Sequence, residues 1–237
     1  MIIRILNESF SALLNIKRST FSALAAAFLL ALIAELALLG VGILQPWPLM
    51  LYLTLEWLAE GVAIVSYTLL VTVICHTVLR EQAIRFGWGF FWGRRETRFF
   101  LHVLGLYALL IPVSLLAFVP VGGPWLMLLA AGYFYSRFAL VLPGIAFDQK
   151  ITFKLAWQLS RQHQISAFVL LALLPGIGWS IAELLLGGLY LFPLRVVVNF
   201  FISVFSAIAM AILYREIVLS AAAVSDDSQS QSAHGEC

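Results

Sequence analysis

Apolar residues run in six long blocks, near 21–44, 55–79, 99–119, 124–146, 165–188 and 195–215, with polar residues gathered between them. A helix rises about 1.5 Å per residue, so roughly twenty residues cross a hydrocarbon layer of about 30 Å. Membrane β-strands would show segments of about ten alternating residues instead. The pattern predicts an all-α integral membrane protein with six transmembrane helices, each satisfying its own backbone polar groups. Between the blocks, QPWP (45–48) and VGGP (121–124) are short and rich in proline and glycine, as turns between antiparallel helices are. The proline of FPLR (192–195) serves the last hairpin in the same way.

Two segments carry a different rhythm. Within residues 1–20, Ile3, Leu6, Phe10, Leu13 and Leu14 alternate with Arg4, Asn7, Glu8, Ser11, Asn15, Lys17 and Arg18, an amphipathic helix suited to a membrane surface. It is not expected to be a signal peptide, because the apolar run after it is too long and lacks a cleavage pattern. Residues 151–163 form a second interfacial helix. Lys150, Lys154, Gln158, Arg161 and Gln162 share one face, and Phe153, Leu155, Ala156 and Leu159 take the remaining arc, with Trp157 at its edge. Asp148 is placed to cap it. Residues 86–95, FGWGFFWGRR, bring aromatic rings suited to the interfacial belt. Residues 1–224 thus form one membrane helix-bundle domain, and the small polar residues of 225–237 form a disordered tail.

Composition agrees: 62% of the 237 residues are hydrophobic and 11% charged, with a mean hydropathy of +1.00, whereas about 25% of an ordinary soluble domain is charged. Charge placement adds orientation. Arg4, Lys17, Arg18, Arg80, Arg85, Arg94, Arg95, Arg98, Lys150, Lys154, Arg161 and Arg215 fall on one side of the six spans, and Arg195 alone falls on the other. By the positive-inside rule both termini and the interfacial helices are cytoplasmic. The expected location is a bacterial inner membrane, N-in/C-in and multi-pass. Membrane lipids and other membrane proteins are the expected partners, and nucleic acid is not.

Charges inside the spans are the candidates for function, because a charge in hydrocarbon is costly. Glu35, Glu56, Glu60 and Glu183 all fall toward the outer side, and Glu56 and Glu60 share a helix face. Arg195 lies at their level. Two readings follow: an outward acidic site for a cation, proton or amine, or interfacial carboxylates wetted by water with Arg195 as a structural partner. Glu35 is the deepest of the four, about 21 Å from Phe21 by helical rise. On the inner side Arg137 lies about 15 Å before Phe147. It is a candidate lipid-phosphate contact together with Lys154 and Arg161, by snorkelling; it is also placed to pair with Asp148 or to bind carbonyls freed by Pro143.

Signatures of catalysis are missing: no H-E-x-x-H, G-x-S-x-G or phosphate loop occurs, and His76, His102, His163 and His234 are scattered. No catalytic residue, metal site or cofactor is expected. Cys75 and Cys237 offer no disulfide framework, and Cys75 beside His76 reads as packing. A weak internal echo aligns KRSTFSAL (17–24) with RQHQISAF (161–168), and IAEL recurs at 33–36 and 181–184.

The stretch R-F-A-L-x-L-P-G-I-A-F-D (137–148), followed by T-F-K-L-A-W-Q-L-S-R (152–161), resembles bacterial YciC-like six-span inner-membrane proteins and the membrane domain attached to some glycerophosphodiester phosphodiesterases. Arg137, Pro143, Asp148, Ala156, Trp157 and Ser160 occupy the matching positions. The resemblance implies the fold and location and carries no catalytic residue. The chain departs from that pattern in GWGFFWGRR and in its outer glutamates, and no phosphodiesterase domain accompanies it. The function expected is non-enzymatic: lipid binding, or an accessory or assembly role in envelope homeostasis. The alternative is a small transporter or channel using the outer glutamates, and an intramembrane enzyme ranks below both.

Overall fold

The computed structural model describes residues 1–16, 18–43, 49–80, 92–147, 151–188 and 191–219. The turn at 45–48, the aromatic residues 86–91, Asp148, Lys150 and the tail 225–237 lie outside the described residues, as do the side chains of Lys17, Arg18, Arg80 and Arg85. The described residues are built from helices: α1 (Ile2–Leu14), α2 (Arg18–Ile43), α3 (Leu49–Arg80), α4 (Arg94–Ser114), α5 (Gly123–Phe138), α6 (Val141–Ala146), α7 (Phe153–Ser160), α8 (Gln164–Phe168), α9 (Leu174–Leu186) and α10 (Phe192–Tyr214). Six helical runs are long and apolar enough to cross a membrane: Thr20–Gly40, Met50–Leu79, Arg94–Phe118, Gly123–Ala146, Phe153–Leu186 and Phe192–Val218. The chain is a multi-pass helical protein of the kind its hydropathy demands.

Two helices make the centre. Half of the most apolar stretch of α3 and 56% of that of α10 is buried, against 17% for the α4 run, so α4 is peripheral. The buried core gathers around Leu69–Val71 and Val73–Cys75 of α3, the whole of α6, and Ala207–Tyr214 of α10. Toward the other end large apolar side chains such as Trp57, Trp125, Ile181 and Leu184 are exposed, as suits a surface solvated by lipid. Helices α2 and α3 approach through small residues, with Ala23, Ala27 and Ala34 of α2 buried, the contact that membrane helices use when no hydrophobic effect drives them together. Ser66 Oγ donates to the Ala27 carbonyl at 2.7 Å across this seam.

Prolines shape the spans by the hydrogen bonds they cannot make. Pro143 cannot donate to the carbonyl of Ala139, and span four breaks there into α5 and α6. The freed carbonyl accepts from the Leu142 N–H at 3.0 Å, so it is satisfied inside the chain. Pro175 follows a π-helical turn, Val169–Leu173, in which the Leu174 N–H reaches back to the Val169 carbonyl. That widened turn absorbs the displaced bonding. Gly122 holds φ +73°, and a Cβ on Gly123 would sit 2.6 Å from the Leu116 carbonyl oxygen. The hairpin into α5 therefore requires both glycines.

Helix α1 packs on the far end of α10. Ile5 and Ser9 are buried there, with Leu6 and Leu13 partly so. Ion pairs Arg4–Glu216 and Glu8–Arg215 tie the two helices. The apolar face read from the sequence is thus divided: Leu6 and Leu13 meet protein, while Ile3, Phe10 and Leu14 stay exposed on one stripe. The segment 151–163 is helical only over Phe153–Ser160, with a 3-10 turn at Arg161–His163 joining it to α8. Its cap is Thr152, whose Oγ1 accepts from the Leu155 N–H at 3.3 Å. The Glu96 carboxylate similarly receives the Gly93 N–H at 2.9 Å and starts α4.

Candidate functional site

At the end of the bundle remote from α1, Arg195 occupies the first turn of α10, two residues after Pro193. Its Nη1 lies 3.0 and 3.2 Å from the two carboxylate oxygens of Glu183. Its Nη2 lies 3.6 Å from Glu35 Oε2, an ion pair beyond hydrogen-bonding distance. The planar fork of arginine allows this division between two helices, α2 and α9. The three side chains are unequally wet: 17% exposed for Arg195, 33% for Glu35 and 62% for Glu183. Both glutamates come from the two IAEL repeats, so the echo at 33–36 and 181–184 converges on one cation.

Of the five residues expected at this site, the structure unites three. Glu56 is partly exposed and Glu60 exposed; among the described residues neither forms an ion pair, and neither lines the cavities described next. They therefore stand apart from the Arg195 ion pairs, and spacing along one helix could not reveal this.

Glu35 lines a cavity of about 360 Å³ between α2, α3, α9 and α10. Asn199 and Ser203 continue the Arg195 face of α10 at successive turns into the same cavity. Among the described residues the Asn199 Oδ1 atom is buried without a hydrogen-bond partner. Ser66 and Ser203 also line the cavity, and their hydroxyl hydrogens are spent on the carbonyls of Ala27 and Asn199.

A second chamber of about 510 Å³ adjoins it, with Ala63, Tyr67, Trp179 and Ser203 shared between the two. Its wall is almost wholly apolar: Val103, Leu106, Leu110, Leu128 and Leu171 belong to it. Tyr107, Ser203 and Ser206 also line it, and it holds a hydroxyl pair, Tyr67 Oη to Tyr135 Oη at 2.7 Å. One hydroxyl hydrogen is used in that bond and the other remains available. A third hollow of about 650 Å³ shares Leu128, Gly132, Ala172, Gly176 and Trp179 with the chamber. It is edged by Trp125, Ile181 and Leu184, which are exposed on the apolar surface. Polar corner, apolar chamber and surface hollow thus form a chain of spaces around Trp179. Asn199, Tyr67 and Tyr135 escaped the sequence reading. The Arg195–Asn199–Ser203 spacing of four, polar in an apolar span, was the signal that could have found the first of them.

At the opposite end Arg137 is 2% exposed. Its Nη2 donates to the Trp157 carbonyl at 2.7 Å and its Nη1 to Gln164 Oε1 at 2.9 Å. The guanidinium lies 4.1 Å from the Trp157 ring centroid and 5.9 Å from that of Tyr133. Phe134, Phe138 and Phe153 extend this aromatic cluster. Arg137 therefore does not snorkel to the surface as a lipid-phosphate contact: it is enclosed, with one nitrogen holding α7 and another holding α8 against α5. Nor does it use the carbonyl freed by Pro143, which Leu142 has taken. Lys154 and Arg161 are exposed at this end. Among the described residues, no group of three or more His, Cys, Asp or Glu side chains is placed to hold a metal ion. Compared with protein-family models, curated proteins and solved structures, the chain matches none.

Proposed function

We propose that this chain is a YciC-like protein of the bacterial inner membrane, with both termini cytoplasmic, that binds a membrane amphiphile without chemically changing it. The role proposed is an accessory one in envelope lipid homeostasis. The carrying observation is the junction at Ala63, Tyr67, Trp179 and Ser203, where a cavity bearing Glu35, Asn199 and two serines meets a more apolar chamber. The cavities have the size usual for small-molecule sites, about 300–1,000 Å³. An apolar chamber gains by filling with hydrocarbon, and the adjoining hollow is edged by exposed apolar side chains. The separation of Glu56 and Glu60 from Arg195 favours binding over a four-glutamate ion path.

Native mass spectrometry of the full chain, purified through delipidating detergent, tests this reading. The wild type should retain about one phospholipid per chain. Ala63→Phe, which fills the junction, should abolish retention while cooperative unfolding persists. A wild type that retains none, or an Ala63→Phe chain that retains as much, refutes the proposal. Orientation has its own check: cysteines placed at residues 8 and 228 should react with a thiol reagent only after the inner membrane is breached.

A further inference from the structure

The polar cavity selects a head group, and the hydrogen-bonding state of its wall indicates which. Glu35 presents a carboxylate whose only ion-pair contact among the described residues, to Arg195, is 3.6 Å long. Among the described residues the Asn199 Oδ1 is a buried acceptor with no donor, beside the amide's own N–H groups. Ser66 and Ser203 have already given their hydrogens to backbone carbonyls, so only their oxygen lone pairs face further partners. Four side chains on three helices thus offer acceptors to one space of about 360 Å³. Two carboxylates around a single guanidinium leave a formal charge of −1 at its edge. A ligand complementary to this wall is cationic and brings several N–H donors.

We infer that the cavity between α2, α3, α9 and α10 is a head-group site for a primary ammonium, with Glu35 as its counter-ion and Asn199 Oδ1 as its second acceptor, the hydrocarbon of the same amphiphile lying in the adjoining chamber. This rests on the amphiphile-binding reading above and names the head group that reading leaves open. A primary ammonium has three N–H donors, which match the carboxylate, the amide oxygen and a hydroxyl. A quaternary ammonium carries the same charge with no N–H, so it satisfies Glu35 and leaves Asn199 orphaned in a low-dielectric site, where an unmade hydrogen bond is costly. An anionic head group meets Glu35 with like charge.

Native mass spectrometry of the full chain, titrated with phosphatidylethanolamine, phosphatidylcholine and phosphatidylglycerol of identical acyl chains, reads this selection. Phosphatidylethanolamine should be retained about tenfold more tightly than either rival, the scale of one hydrogen bond to a charged group. Glu35→Gln should reduce the preference over phosphatidylglycerol, and Asn199→Leu the preference over phosphatidylcholine. Asn199→Leu leaves both ion pairs of Arg195 in place, so it remains informative if Glu35→Gln folds poorly. Water-soluble phosphoethanolamine at equal concentration should displace no phosphatidylethanolamine; displacement would make the ligand a free amine and overturn the inference. Equal retention of the three lipids, or a preference untouched by both substitutions, also overturns it and leaves the chamber reading standing. Retention of no lipid by the wild type removes the chamber reading itself.

Discussion

Replacing Arg137 by alanine tests how the bundle holds α7. The residue makes two hydrogen bonds from a buried cation, to the Trp157 carbonyl at 2.7 Å and to Gln164 at 2.9 Å, each worth about 1.5–3 kcal/mol. Stacking 4.1 Å from the Trp157 ring centroid adds about 2 kcal/mol for a desolvated pair. Against these stands the penalty of burying a guanidinium, several kcal/mol, which alanine relieves. The Trp157 carbonyl is not orphaned, because Ser160 Oγ also donates to it at 3.2 Å. The net loss for Arg137→Ala is therefore about 2 kcal/mol, or roughly a thirtyfold rise in the population of chains with α7 detached. Hydrogen exchange of the detergent-solubilised chain should show that acceleration across Phe153–Ser160, with α3 unchanged. Arg137→Lys keeps the charge but loses the fork and most of the stack, so it should resemble alanine more than arginine. Arg137→Met, which fills the space without charge, should lie between alanine and wild type. Exchange across α7 within threefold of wild type in Arg137→Ala would falsify the clamp.

Further outcomes follow from the same geometry. Gly123→Ala should lower the unfolding temperature clearly, because its Cβ would sit 2.6 Å from a backbone oxygen, whereas Gly40→Ala, which meets no atom within 4 Å, should be neutral or stabilising. Arg195→Gln should destabilise more than Glu183→Gln, since it leaves two carboxylates without their cation, while the 62% exposed Glu183 side chain contributes about 0–1 kcal/mol. A double-mutant cycle across Arg4 and Glu216, with side chains 64% and 28% exposed, should return about 0.5 kcal/mol at low salt and less as ionic strength rises. Thermal unfolding in detergent reads all three.

The stretch 137–148 separates what sequence supplies from what it withholds. Its apolar length predicts a helix able to cross a membrane and its proline predicts freed carbonyls near the end, because both effects are local to the backbone. The destination of Arg137 is not local. Its acceptors lie 20 and 27 residues away on α7 and α8, and only the packing of both helices against α5 brings them to it. Snorkelling, pairing with Asp148 and capture of a free carbonyl all looked available along one helix. The Leu142 N–H had already removed the last of these.

The glutamates teach the same lesson at the other end. All four are equally conspicuous as charges in apolar sequence, and helical rise assigns each an expected depth. Depth is a one-dimensional property, and hydropathy encodes it. Azimuth is not, because every face of a membrane helix is apolar and no solvent-facing stripe marks which side meets protein. Thus Glu35 and Glu183 meet on Arg195 while Glu56 and Glu60 do not, and nothing in their spacing says so. The IAEL echo was a readable hint, since like segments at like depth project their glutamates alike. Asn199 was passed over because one amide in an apolar span has little weight until a cavity is seen beside it.

Taken alone, the sequence determined the helical class and the six helices long and apolar enough to cross a membrane, because lipid forces the backbone to bond within each helix and length then sets how many can cross. The tertiary structure decided which polar groups are spent on one another and which still face an open space. That outcome depends on the rotation and packing of helices distant in the chain. It left Arg137 enclosed as a clamp and Glu35 and Asn199 lining one cavity.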